Sequence, residues 1–468
     1  MSSTLWAWGL FSIYLVVTAF LAWRGGQKGG DATTFAIGSG RMSPLIAGMT
    51  LGASLASSAM FVIFPGFVYK DGLAPLIGFS VPLIAGLGLG FALLGPRFQS
   101  LGAQGGALTV PHWLGARYAD PRLRRLFSAL NVLNIAYLVL IAVGCGYVMQ
   151  ATLGVPYIPA VIGVVVFVFG YTGFGGAWAH ALTNTLQGAI MLVVALVLFG
   201  TGLGTWADGR LWADLSSTGA VAPGTALFGS AAEVWLVPFL MGMALSTQPH
   251  LLTKSLYVED RAAWRQTVGI GMGTYAVFSL VLFVGAYARL ALPAGIPQDQ
   301  AVAQYIQAAV PWGPVNAVVG VAILSASMST MDGLLVAISA SVANDLLPGR
   351  GSVAANRLVL VGLAVATIAV AVSPPPLVLI LGQQGVYGLV AASAGPLVAG
   401  LFLRGPLASG PAIASAIAAL AVHFGLTAAG VSANPGVTAS AAVAVGLPIA
   451  LLPPLLRRSN PAAVGLRG

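Results

Sequence analysis

Apolar segments long enough to cross a bilayer recur thirteen times along this chain. They are centred near residues 14, 55, 84, 137, 165, 192, 242, 279, 329, 366, 390, 418 and 446. A crossing helix needs roughly 20 such residues, and a helix satisfies its own backbone hydrogen bonds where no water is available. The expected fold class is therefore an all-α polytopic membrane protein with 13 transmembrane helices. Composition agrees: 58% of the residues are hydrophobic and 7% charged, against about 25% charged in soluble domains.

A net charge of +9 would suit a nucleic-acid partner, but the placement of the charges argues against one. With the N-terminus outside, thirteen crossings put all but Lys70, Arg210 and Arg289 of the 20 Lys and Arg residues on the inner side. That asymmetry is the positive-inside rule, and one missed helix would scramble it. The C-terminus is then cytoplasmic. The first segment, Thr4 to Trp23, is not read as a signal peptide, because Arg24 and Lys28 follow its apolar core and no basic residue precedes it. Cys145 is the sole cysteine, which fits a buried thiol in the membrane core. The lipid bilayer is the expected partner. No nucleic acid or obligate protein partner is indicated, and the tail after Leu456 is too short for a fused output module.

Polar groups inside these apolar runs mark where function is expected. Ala326-Ser327-Met328-Ser329-Thr330-Met331-Asp332 places hydroxyls and a carboxylate within an otherwise apolar run. Two other spans read as interrupted. One carries Gly52 to Ala59 at mid-depth and then Pro65-Gly66; the other carries Gly242 to His250. Paired interruptions in two halves of a chain point to a binding site between inverted repeats. Small residues also serve close helix packing, so neither interruption is decisive by itself. The stretch Val110 to Tyr118 reads as a short interfacial helix, and Trp206 to Ala232 as a partly ordered cap.

These segments resemble the sodium/solute symporter family, which includes proline permeases and sodium/glucose cotransporters. The resemblance is carried by Phe35 to Arg41, by Ser54 to Gly66, and by Gly175-Gly176-Ala177-Trp178 with Thr183-Asn184-Thr185-Leu186-Gln187. Met328 to Asp332 matches the family's MSTxD signature. The resemblance implies a LeuT-type fold, a five-plus-five inverted repeat with one leading and two trailing helices. Its expected parts are residues 1–42, 43–205 (first repeat), 206–232 (outer loop), 233–403 (second repeat) and 404–468. It also implies sodium held by the backbone carbonyls of Ala53, Ala56 and Ala326 and by the hydroxyls of Ser329 and Thr330. Oxygen ligands suit such a hard cation, although both hydroxyls can instead bond carbonyls of their own helix. Asp332 is open between pairing with a polar neighbour, tuning the ion site and carrying a proton. Asn184 stands where many members have aspartate, so a second, charge-dependent coupling step is in doubt; Gln187 belongs to the same coupling run. His112 stands where the family often has an acidic residue and reads as structural.

Candidate substrate contacts are Ser57, Ser58 and Met60 with Gln248 and His250, joined by Asn134, Tyr137, Gln383 and Tyr387. These are neutral hydrogen-bonding groups, suited to a small polar solute. The run Gln248 to Lys254 looks somewhat like acetate and monocarboxylate members. His250 therefore either orients a carboxylate or, with Lys254, anchors a helix end. The expected function is sodium-coupled import of a small solute across a bacterial plasma membrane. Proton coupling through Asp332 or His250 is the alternative within transport, and a transporter-like sensor is another. Asp332 has no evident catalytic partner in the sequence, so an intramembrane enzyme is not expected.

Overall fold

The computed structural model describes residues 3–459 except 29, 58, 294, 311–312, 348–351 and 375–377. Among the described residues there are helices and no strands. The membrane-scale helices are α1 (Leu5–Gly26), α2 (Pro44–Leu55), α3 (Ala59–Asp71), α4 (Leu73–Gln104), α5 (Pro121–Gln150), α6 (Tyr157–Gly200), α7 (Ala232–Leu245) and α8 (Arg261–Ala291). They continue with α9 (Gly313–Leu346), α10 (Val353–Ala371), α11 (Gly382–Phe402), α12 (Ser409–Ala428) and α13 (Pro435–Leu452). Ten of these are long and apolar enough to cross a membrane singly. Taking the bent pair α2–α3 as one span gives up to eleven, against the expected thirteen; the expected spans centred near residues 165 and 192 fall on the single helix α6, and the one near 242 falls on the short α7.

The 44-residue α6 is about twice the length of one crossing, and Gly176 breaks it at φ 50°, ψ −131°. Side chains rarely adopt that conformation. A Cβ at Gly176 would also run into the backbone carbonyl of Phe35. The helices α2 and α3 meet at 58°, because Ala56 is extended (φ −94°, ψ 104°). Gly48 and Gly52 let α2 lie directly on α8, where a Cβ on Gly52 would sit 3.0 Å from the Gly271 carbonyl. Small residues at such crossings bring backbones together.

Burial ranks the helices. The most apolar window of α9 is 89% buried, against 28% for α1, 22% for α10 and 28% for α12. α9 is therefore the central post, packed by α1, α2, α5 and α6. A helix enclosed on all sides needs no amphipathic stripe, which is why polar and apolar residues are mixed around its circumference. The expected interfacial helix is present as Val110–Arg117, capped by Thr109. The expected cap contains the helix Arg210–Thr218.

Charged ties close both ends of the bundle. At the end where α8 finishes, Arg289 Nε donates to Asp214 Oδ2 at 2.8 Å and Nη1 to the Tyr69 carbonyl at 2.8 Å. At the opposite end, Arg124 Nε donates to Asp345 Oδ1 and Thr109 Oγ1 to Asp345 Oδ2, both at 2.7 Å. Arg124 also donates to the Asn344 carbonyl at 2.6 Å.

Candidate functional site

The break after Leu55 exposes carbonyls that a continuous helix would have consumed. Those of Ala53 and Ala56 turn toward α9, where Ser329 and Thr330 face them. Ser329 Oγ lies 3.0 Å from the Ala53 carbonyl oxygen and 2.9 Å from that of Ala326. Thr330 Oγ1 lies 3.3 Å from Ala326 O and 3.5 Å from Ala56 O. All five residues named from the sequence thus bring their oxygens into one cluster, and all five are buried. The hydroxyls reach carbonyls of their own helix as well as carbonyls of α2. No group of His, Cys, Asp and Glu suited to a transition metal exists among the described residues.

Asn184 of α6 joins this seam by donating from Nδ2 to Ser54 Oγ (3.0 Å) and to the Ser329 carbonyl (3.1 Å). Those donations fix its amide orientation and leave Oδ1 buried without a partner. Gln187 Nε2 donates to Tyr14 Oη at 2.9 Å, and Tyr14 Oη reaches Met328 Sδ at 3.4 Å. The leading helix α1 therefore touches the same seam, which the sequence reading did not foresee.

Asp332 is fully buried and has three partners, all on α6. Its Oδ1 is 2.8 Å from His180 Nδ1; Oδ2 is 2.9 Å from Tyr171 Oη and 3.2 Å from Thr183 Oγ1. His180 and Tyr171 were missed because each sits alone in an apolar run. The only sequence signal was that a buried carboxylate in a membrane demands partners. Lys254 is also fully buried, and its Nζ donates to the His250 carbonyl at 2.6 Å.

The expected substrate contacts are divided by the fold. The second interruption is real: α7 ends at Leu245, and the short helix Pro249–Leu252 follows a turn. Ser57 and Met60 lie at the α2–α3 break, with the Tyr137 hydroxyl beside Ser57 and Tyr387 near Tyr137. Gln248 ties this region to α11 by donating to the Val386 carbonyl at 3.1 Å. Asn134 donates to Asn131 Oδ1, and Asn131 donates to Ser341 Oγ near the far end of α9. Asn131 thereby braces α5 against α9. His250 lines a separate recess with Thr109, Tyr257 and Ala337. Gln383 is half-buried on α11, and Ser58 lies outside the described residues. His112, outside the spans, caps nothing with its ring; burial and the nearby Arg124 hold its imidazole below the ordinary value.

Known proteins resemble this chain in sequence and in fold. The model of the sodium:solute symporter family matches residues 35–408. The sodium/pantothenate symporter of Haemophilus influenzae is 26% identical over 446 residues, covering 90% of each chain. The sodium/proline symporter of Staphylococcus aureus is 26% identical over 415 residues, covering 83% of this chain and 79% of its own. Among solved structures, a Na+-coupled sialic acid symporter in a substrate-bound outward-open state superposes with a TM-score of 0.75. It is 17% identical, covering 95% of this chain and 97% of its own. The nucleobase-cation-symport-1 transporter MHP1 superposes at 0.58 with 14% identity, over 91% and 95% of the two chains. At those identities the two structures establish the fold, while the family match spans most of the sequence. The chain belongs to the sodium:solute symporter family, and is a membrane transporter rather than an enzyme.

Proposed function

We propose that this transporter is a sodium-coupled symporter that imports a small organic solute by alternating access. The observation that carries the reading is the oxygen cluster at the α2 break. Its two hydroxyls stand 2.9–3.5 Å from its three carbonyl oxygens, so five oxygens converge at the break. The set is neutral and all oxygen, which suits a hard monovalent ion. Ala53, Ala56, Ala326, Ser329 and Thr330 are its proposed ligands, and the ion is cargo rather than a resident cofactor. Ion binding draws α2 and α9 together and so favours the shape that also holds solute. Asn184 and Gln187 transmit that change to α6 and α1.

The solute is proposed to bind beside Ser57, Met60, Tyr137, Gln248 and Tyr387. The relatives are named for pantothenate, proline and sialic acid, which share a carboxylate. We infer a small organic acid or zwitterion here, its carboxylate met by the helix ends at the two breaks. The same reading takes α6 as two crossings, and α2–α3 and α7 as one each, giving thirteen. It places the N-terminus outside and the C-terminus in the cytoplasm of a bacterial cell. Residues 43–205 and 233–403 are the two repeats.

Replacing external sodium by choline at fixed pH is expected to remove at least about nine-tenths of uptake into cells or vesicles, a loss of about 1.4 kcal/mol or more in driving interaction. Uptake that is unchanged in choline overturns the sodium assignment. The solute itself is found by thermal shift with small carboxylates, amino acids and sugars, each with and without sodium.

A further inference from the structure

We propose that His180 Nε2 is a proton-binding site whose occupation excludes sodium from the neighbouring oxygen cluster. The proposal rests on the sodium reading and adds to it a second ligand, the proton. His180 is fully buried on α6, and its Nδ1 is committed to Asp332 Oδ1 at 2.8 Å. Because Asp332 Oδ2 already stands within reach of Tyr171 Oη and Thr183 Oγ1, the carboxylate acts as an acceptor and Nδ1 carries hydrogen. The open position of the ring is then Nε2, which is buried and has no hydrogen-bond partner among the described residues.

That ring edge is brought to α2 by the absence of a side chain at Gly333. A Cβ there would stand 3.1 Å from His180 Cε1, 3.6 Å from Nε2 and 3.5 Å from Ser54 Oγ. Ser54 follows Ala53, whose carbonyl belongs to the oxygen cluster, and Asn184 bridges Ser54 to the Ser329 carbonyl. A proton on Nε2 therefore places a full positive charge next to the neutral cage that is to hold a cation. Both groups are buried, so their interaction is screened far less than it would be in water.

The other ionisable groups do not reverse the sign. Asp332 on α9 is one negative charge that attracts either cation. Lys254 and His250, on the segment after α7, act electrostatically on His180 or its partner, and both add positive charge when protonated. Tyr171 on α6, Tyr14 on α1 and Tyr257 near the ring are hydroxyls in this setting. Asp332 is thus one negative charge shared among the Lys254 amine, the His180 ring and the oxygen cluster, so a proton on His180 and a sodium ion compete for it. By reciprocity, sodium binding expels the proton.

The test uses purified full-length protein, with sodium titrated at a series of values between about pH 8 and pH 5, where histidine changes charge. Tryptophan fluorescence or the thermal midpoint reads binding. In the wild type, the apparent sodium dissociation constant is expected to rise at least about tenfold across that range, approaching tenfold per unit at full exclusion. In His180→Gln the dependence should be flat, while His112→Gln should keep the wild-type slope. In weakly buffered solution near the acid end, adding sodium chloride to the wild type should release protons, and adding choline chloride should not. A sodium affinity independent of pH, a wild-type slope in His180→Gln, or no proton release each overturns the proposal. No sodium response at any pH overturns the sodium reading with it. If His180→Gln does not fold, Gly333→Ala replaces it. Its methyl displaces the ring edge and should shift the midpoint of the pH dependence, and an unmoved midpoint counts against the site.

Discussion

The double variant Ser329→Ala, Thr330→Ala is expected to lose sodium-stimulated uptake while remaining folded in the membrane. Each hydroxyl touches two carbonyls in the α2–α9 seam, at 2.9–3.5 Å. A contact to a charged partner contributes about 1.5–3 kcal/mol, so removing two weakens ion binding by about 3–6 kcal/mol, roughly 10²- to 10⁴-fold. The fold should survive, because both side chains are small and alanine leaves little space behind. The Ala53 and Ala56 carbonyls, freed by the helix break, each lose their hydroxyl donor, so recovery of folded protein is measured alongside. The apparent sodium dissociation constant, measured by uptake and by sodium-induced thermal shift, is the readout. Wild-type sodium dependence in this variant removes the proposed ion site.

Gly176→Ala is the second large effect, and it falls on folding rather than on transport. At φ 50°, ψ −131° an alanine is strained by about 1–3 kcal/mol. Its Cβ meets the carbonyl of Phe35, which cannot swing aside, as well as the Phe35 ring. Relief requires either straightening α6 or pushing away the segment Ala32–Ile37, and α6 cannot straighten without withdrawing His180 and Asn184 from α9 and Gln187 from Tyr14. Gly170→Ala, six residues earlier in the same helix, meets nothing within 4 Å and should be neutral or slightly stabilising. The amount of monodisperse protein recovered in detergent distinguishes the two. Equal recovery of both variants contradicts the kink as described.

Much of the architecture was legible because the bilayer imposes a simple rule: apolar runs of crossing length become helices. The break in α2 was legible from its small residues and Pro65, and the ion cluster followed from Ser329 and Thr330 once the family resemblance supplied α2 as their partner. The partners of Asn134 were not legible, because an amide in a span announces polarity, not direction; it reaches α9 only through Asn131, which meets Ser341. His180 was invisible for the opposite reason. A single histidine between alanines carries no pattern, and its meaning comes from the carboxylate 152 positions away. The apolar runs centred near residues 165 and 192 already divided α6 in the sequence, and the backbone angles at Gly176 show where the bend falls.

The ties at the two ends of the bundle carry a further meaning. Arg289 with Asp214, and Arg124 with Asp345, are built from the same pairing of guanidinium and carboxylate. If alternating access requires one end to open while the other stays shut, the two pairs are opposing weights on a single lever. Each contributes about 1.5–3 kcal/mol, which is enough to shift a two-state population by about ten- to a hundredfold. Damage at one end would then be offset by matching damage at the other, as happens in any mechanism whose resting point is a difference between two similar forces.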